Sequence, residues 1–200
     1  MRQRVRLLAL PLVLLYAAGI LEAVDLVRQR RRGVRRSLVT SPADRDPRST
    51  WLLVLTWWPA GAAALLAAIG LPQLNMARRW RRRSAAAGAA VTTVGIALRQ
   101  WSIRSLGQYF VGHVVVQPDQ TVVASGPYRW LRHPSYAGQW LEMVGVGLST
   151  GNTLGLAICS LVPLVGITAR ITGEERELLA NLPGYGDYAY GRRRLVPFIW

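Results

Sequence analysis

Two hundred residues and 22.1 kDa leave room for one domain or two small ones, and an apolar fraction of 51% excludes a disordered chain. All 25 basic residues are arginine, the formal net charge is +15, and the arginines cluster between long apolar runs. With a mean hydropathy of +0.19, that segmentation points to a bilayer with anionic headgroups and reduces nucleic acid to a minor alternative. Cys159 is the sole cysteine, so neither an intrachain disulfide nor a cysteine-based metal site can form.

A spanning helix needs about 20 mostly apolar residues to cross roughly 30 Å of hydrocarbon. Leu7 to Val27 is long enough and carries Glu22 and Asp25 near its far end, where tilt or an interfacial position keeps the carboxylates in water. The same stretch also reads as a signal peptide, with Arg2, Arg4 and Arg6 ahead of it and Ala17, Ala18 and Gly19 within it. Against a cleaved leader, the mature chain would then begin on the arginine run Arg28 to Arg36. Trp51 to Leu71 is free of charge throughout and is expected to span. Ala85 to Leu98 is short and rich in alanine and glycine, which suits a helix packed closely among others. Pro134 to Ser149 is apolar except for Glu142, and Gly151-Asn152 turns it into the last span, Asn152 to Ala169. The expected architecture is all-α and integral to the membrane: about five transmembrane helices with a cytoplasmic C-terminal cofactor-binding region. It forms one membrane domain, with a two-span N-terminal part over residues 1–84 and a second part over 85–200.

Counting arginines on alternate sides of five spans places seventeen with the loops at 28–48, 99–132 and 170–194 and eight with the N-terminus and the 78–83 cluster. The positive-inside bias then sets the N-terminus outside and the C-terminus in the cytoplasm. Arg78 to Arg83 runs against that bias. Arginines 28–36 and 78–83 read as anchors on lipid phosphates, each worth about 1 kcal/mol near an anionic surface. Trp51, Trp57, Trp58, Trp80 and Trp101 fall mostly near span ends, at headgroup level.

Residues 99–142 differ in kind. Arg99, Arg104 and His113 precede Gly126-Pro127-Tyr128-Arg129-Trp130-Leu131-Arg132-His133-Pro134-Ser135-Tyr136-Ala137-Gly138, a polar and aromatic density that loops acquire when they bind something. Val114 to Val116 and Thr121 to Val123 flank Pro118-Asp119 as a short hairpin or an extended turn, which returns Arg104 and His113 toward Arg132. A plainer reading makes Gly126-Pro127 and His133-Pro134 turn punctuation ahead of a helix. Glu142 weighs against it: a carboxyl eight residues into an apolar segment faces a polar cavity or a partner, with Arg99 or Arg132 nearest, unless it is neutral and bonded to a backbone carbonyl. After the last span come Arg170, Glu174-Glu175, Glu177 and the aromatic Gly184-Tyr185-Gly186-Asp187-Tyr188. On a continuing helix Arg170 and Glu174 pair across one turn; alternatively the carboxylates meet ligand hydroxyls or an ammonium, with tyrosines against a flat ring. No glycine-rich dinucleotide fingerprint and no P-loop lysine is present.

Gly126-Pro127-Tyr128-Arg129, Arg132-His133-Pro134-Ser135-Tyr136 with Gly138, Glu174-Glu175 with Leu178, and Gly184, Tyr185 and Tyr188 together resemble the isoprenylcysteine carboxyl methyltransferase family of integral membrane enzymes. Leu106-Gly107 with Phe110 does so too. The resemblance covers about residues 95–198. It implies methyl transfer from S-adenosylmethionine, held on the cytoplasmic side, to a lipophilic or lipidated substrate arriving through the bilayer. It also implies cofactor binding by Tyr128, His133, Pro134, Tyr136, Gly138, Glu174, Glu175 and Tyr185, and an acceptor-side role for Arg99, with Glu142 and Arg132 as further catalytic candidates. Such a transfer requires no metal and no covalent intermediate. A carboxylate acceptor is already a nucleophile that an arginine can orient, whereas a phenol or enol needs a base, Glu142 or His133. A prenylcysteine and an alkyl-chain polyketide therefore both stay open as acceptors, in what composition suggests is a bacterial inner membrane. Two other readings compete: an NADPH-dependent membrane reductase of the sterol-reductase type, and a non-catalytic arginine-rich anchor.

Overall fold

The computed structural model describes Val13, Ile20 and residues 46–111, 114–117 and 119–195. Apart from Val13 and Ile20, both helical, the expected first span lies outside the described residues, as do the arginine run at 28–36 and His113. Helix α1 is Pro47–Gly70, α2 Arg78–Leu106, α3 Pro134–Ser149, α4 Thr153–Asn181 and α5 the short Tyr185–Ala189. No strand forms among the described residues, and the chain is helical as its apolar patterning predicts.

The local reasons are visible at the helix ends. Asp46 caps α1 through the Ser49 amide at 3.3 Å, with Pro47 in the first turn where its missing N–H costs nothing. Asn152 caps α4 through the Gly155 amide at 2.9 Å. α2 is much longer than Ala85 to Leu98: arginine is a good helix former, so the helix begins at Arg78, and it runs on until Gly107 at φ +55. α4 likewise continues from its apolar half through Arg170 and both glutamates, and stops ahead of Pro183. α1 and α4 are the two described helices long and apolar enough to cross a membrane, each with a mean hydropathy of 1.9 over its best window.

α3 packs against both α2 and α4, and α1 packs against α4, so the helices stand in the order α2, α3, α4, α1. The α2–α3 contact is a seam of small residues. A Cβ at Gly95 would lie 2.6 Å from the Gly138 carbonyl oxygen, and one at Gly145 would lie 2.6 Å from that of Gly88. Only glycine permits backbones this close, and Thr92 and Ser149 fill the intervals. The seam lifts α3 directly onto the turn of α2 that carries Arg99.

The two interhelical turns at one end are latched by Asn152. Its amide donates to the carbonyls of Ala67 and Leu71 and to Asn75 Oδ1 at 3.3, 3.2 and 2.8 Å. At the other end lie the start of α1, the end of α2, the start of α3 and the polar half of α4. The C-terminal segment returns there, with Arg132 and His133 amides donating to the Arg193 and Arg194 carbonyls at 2.8 and 2.9 Å.

Candidate functional site

That end holds a cavity of about 260 Å³. Its polar wall comes from Arg99 on α2, Tyr128, Arg132, His133 and Tyr136 around the start of α3, Arg170 and Glu174 on α4, and Tyr185 on α5. Its apolar wall comes from Leu53 and Val54 on α1, Leu106, and Val111, Val114, Val115, Val122 and Val123. Those valines form no hairpin strands among the described residues; the segment is an extended turn, with the Gln120 amide on the Gln117 carbonyl at 3.2 Å and Asp119 at φ +59. Arg104 is exposed and does not line the cavity, contrary to the expectation that the turn would return it toward Arg132.

The adjacent glutamates are divided between two tasks, because neighbours on a helix point about 100° apart. Glu174 faces the cavity. Its Oε1 accepts from the Tyr136 hydroxyl and lies 3.3 Å from Arg170 Nε, and its Oε2 lies 3.5 Å from His133 Nδ1. Glu175 is buried behind it, 2.7 Å from Arg132 Nη1, 2.8 Å from Arg194 Nε and 3.2 Å from His133 Nε2. His133 thus stands between two carboxylates, one on each ring nitrogen. Burial alone would lower its pKa, but the hydrogen bonds and charges of Glu174 and Glu175 outweigh burial and raise it. Both ring nitrogens are thus engaged by carboxylate oxygens.

Arg170, which lies at the end of the apolar half of α4, is 2% exposed. Its Nε donates to the Tyr136 hydroxyl at 3.1 Å and its Nη1 to the Thr50 hydroxyl. One side chain so joins α1, α3 and α4 beside Glu174. Arg99 reaches the cavity along the start of α3, with Nη1 donating to Ser135 Oγ and Gln139 Oε1, both at 3.2 Å. Tyr188 is held by the Tyr128 carbonyl at 2.9 Å, and burial pushes its phenol up to about 12; burial also pushes the Tyr128 and Tyr185 phenols up.

Of the site residues expected from sequence, Arg99, Tyr128, Arg132, His133, Tyr136, Glu174 and Tyr185 meet around this cavity. Pro134, Gly138, Glu142 and Glu175 do not line it. Pro134 starts α3, Gly138 admits the α2 backbone, Glu175 braces Arg132 and Arg194, and Glu142 packs its backbone and Cγ against Gly95. Glu142 therefore sits beside the α2 turn leading to Arg99, while the ion pair of Arg132 goes to Glu175. Sequence reasoning gave Ser135 and Gln139, both close to Tyr136, no task of their own and passed over Thr50. For Ser135 and Gln139 the signal was their position either side of Tyr136 on one helical face. No group of histidine, cysteine and acidic residues suited to a metal occurs among the described residues.

The family model for the isoprenylcysteine carboxyl methyltransferase family matches residues 88–180. The protein YpbQ of Bacillus subtilis is 32% identical over 90 residues, 45% of this chain and 53% of its own length. The protein-S-isoprenylcysteine O-methyltransferase of Schizosaccharomyces pombe is 33% identical over 107 residues, 52% of this chain and 44% of its own. The solved structure of the eukaryotic intramembrane Ras methyltransferase superposes with a TM-score of 0.56 at 27% identity, covering 78% of this chain and 54% of that one. The chain spans about half the length of the curated relatives it matches.

Proposed function

We propose that the chain, whose residues 88–180 match the isoprenylcysteine carboxyl methyltransferase family, is a membrane methyltransferase using S-adenosylmethionine and a lipophilic acceptor. The observation that carries this reading is the cavity with one charged and one apolar wall, built mostly from the matched region and completed by Leu53 and Val54 of α1 and Tyr185 of α5. Two buried polar atoms on its lining, Arg132 Nε and the Tyr185 hydroxyl, have no hydrogen-bond partner among the described residues. Buried orphans cost free energy unless something fills the site, so both fit a ligand rich in acceptor oxygens. Glu174 supplies negative charge for a cationic ligand, and Tyr128 and Tyr185 supply aromatic surface; the residues present fit a sulfonium-bearing nucleoside with an amino-acid tail.

When bound, S-adenosylmethionine supplies a methyl group activated by a positively charged sulfur and displaced in line by a nucleophile. Tyr136, held by Glu174 and Arg170, fixes the polar wall. The valine and leucine wall excludes water and admits the acceptor's hydrocarbon chain. Arg99 orients the acceptor group. Both ring nitrogens of His133 are turned to carboxylates rather than to the acceptor, which favours an acceptor arriving as a carboxylate over a phenol or enol. A prenylcysteine-like carboxylate suits this wall best. The end of the bundle that carries the cavity faces the cytoplasm, in agreement with the arginine balance.

The decisive measurement is thermal unfolding in detergent with S-adenosylhomocysteine. A ligand that binds only the folded chain stabilises it by about 2.7 kcal/mol at a hundredfold excess over Kd. A shift with S-adenosylhomocysteine and none with NADPH supports the proposal, and the reverse pattern overturns it in favour of a reductase. No shift with either ligand also overturns it.

A further inference from the structure

We infer that Ser135 and Gln139 are positioning residues for Arg99, setting how tightly an anionic acceptor is held; this rests on the methyltransferase reading. Arg99 enters the site from α2, where the missing Cβ of Gly138 lets its backbone amide come within 2.7 Å of the site a Cβ would take. A long side chain leaving so crowded a base has several ways to run. Ser135 and Gln139, one turn apart on the cavity-lining face of α3, both accept from the same nitrogen, Nη1. Two acceptors on one nitrogen fix the roll of the planar guanidinium as well as its reach, which a single bond does not do.

The chemistry assigns the effect to binding. A carboxylate attacking a sulfonium methyl loses its negative charge as the bond forms, so its attraction to an arginine is strongest before reaction. Aiming Arg99 therefore lowers KM and does little for kcat. The other groups at this wall, Arg170 and Tyr136, are tied to Glu174 and Thr50 and leave the acceptor end to Arg99.

The test uses the full chain in detergent with S-adenosylmethionine as donor and N-acetyl-S-farnesylcysteine as acceptor probe. The double variant Ser135→Ala with Gln139→Leu is expected to raise the acceptor KM about tenfold or more, with kcat within about twofold and an unchanged S-adenosylhomocysteine thermal shift. Ser135→Thr, which keeps the acceptor oxygen, is expected to hold KM within about twofold of the parent. If the double variant leaves KM unchanged while Arg99→Ala raises it, the positioning role is overturned and the methyltransferase reading stands. If the double variant instead lowers kcat and abolishes the thermal shift, the two residues serve the fold or the donor pocket, and the inference is overturned. If the parent chain neither transfers methyl nor shifts with S-adenosylhomocysteine, the reading falls and this inference falls with it.

Discussion

Gly138→Ala adds one methyl group at a point of close backbone contact between the helix that begins with Pro134 and the helix that ends with Leu106. The new Cβ would stand 2.6 Å from the Gly95 carbonyl oxygen, 2.7 Å from the Arg99 amide and 3.0 Å from the Arg99 Cβ. Ordinary contact begins near 3.4 Å, so the carbonyl is about 0.8 Å too close, and the obstacle is backbone that cannot rotate away. The two helices must part, opening the seam at Gly88 and Gly145 as well. Overpacking of this kind costs about 1–3 kcal/mol. Function is expected to suffer more, because parting the helices moves the base of Arg99 by a large fraction of an ångström and misaims the guanidinium proposed to hold the acceptor, which raises KM. The assay is methyl transfer per folded molecule beside thermal unfolding in detergent, with Gly186→Ala as control, since a Cβ there meets nothing within 4 Å. Gly138→Ala is expected to lose more than about tenfold in kcat/KM while Gly186→Ala loses none. Equal behaviour of the two variants would refute the claim that the glycine seam places Arg99.

Asn152→Ala removes a cap and three amide donations from a residue with no exposed surface, and is expected to destabilise by about 2–4 kcal/mol. Because this latch lies at the end opposite the cavity, activity per folded molecule should stay at the parent value in a paired unfolding and transfer assay. Arg170→Met takes one donor from each of the Thr50 and Tyr136 hydroxyls and leaves Glu174 without its cation across one turn, at a cost of roughly 3–5 kcal/mol; a variant that unfolds like the parent contradicts the bridging role. The raised pKa of His133 makes its contribution to stability complete below its ordinary value of about 6.5 and lost as pH climbs through the raised value. Unfolding midpoints of the parent should accordingly fall across that window, and the fall should flatten in His133→Gln; an identical slope in both excludes His133 as its source.

Much of the frame is legible in the chain alone, because the cost of unpaired backbone in lipid forces apolar runs into helices. The third and fourth helices of the bundle meet at a Gly151-Asn152 turn that glycine and a capping asparagine announce, and the third keeps its expected bounds from Pro134 to Ser149. Expectation falls short in the helix beginning at Arg78, where hydropathy does not mark the limit of the helix, while the helix beginning at Thr153 runs on past Ala169 as the continuing-helix reading expects. Hydropathy limits the lipid-exposed part only; arginine and glutamate are good helix formers and carry both helices beyond it. The site depends on that extension, since Arg99 and Glu174 both stand on the polar ends.

What sequence leaves unread is which way a motif residue turns. Glu174 and Glu175 are the same residue type side by side, yet one lines the cavity and the other is enclosed by Arg132, Arg194 and His133. Only the angle of the helix against its neighbours separates them. Gly138 carries the same lesson: a glycine inside a ligand-binding pattern invites the thought that a ligand needs the room. Here the space is taken by the backbone of the neighbouring helix, and its partner Gly95 lies forty-three positions earlier. The seven-residue interval from Gly88 to Gly95 recurs from Gly138 to Gly145, which is two helical turns in each. That equal spacing lets two antiparallel helices close on each other at two levels. A pair of matched glycine intervals is therefore a signal of helix contact that single-residue reading passes over, and in this chain it fixes where the Arg99 side chain begins.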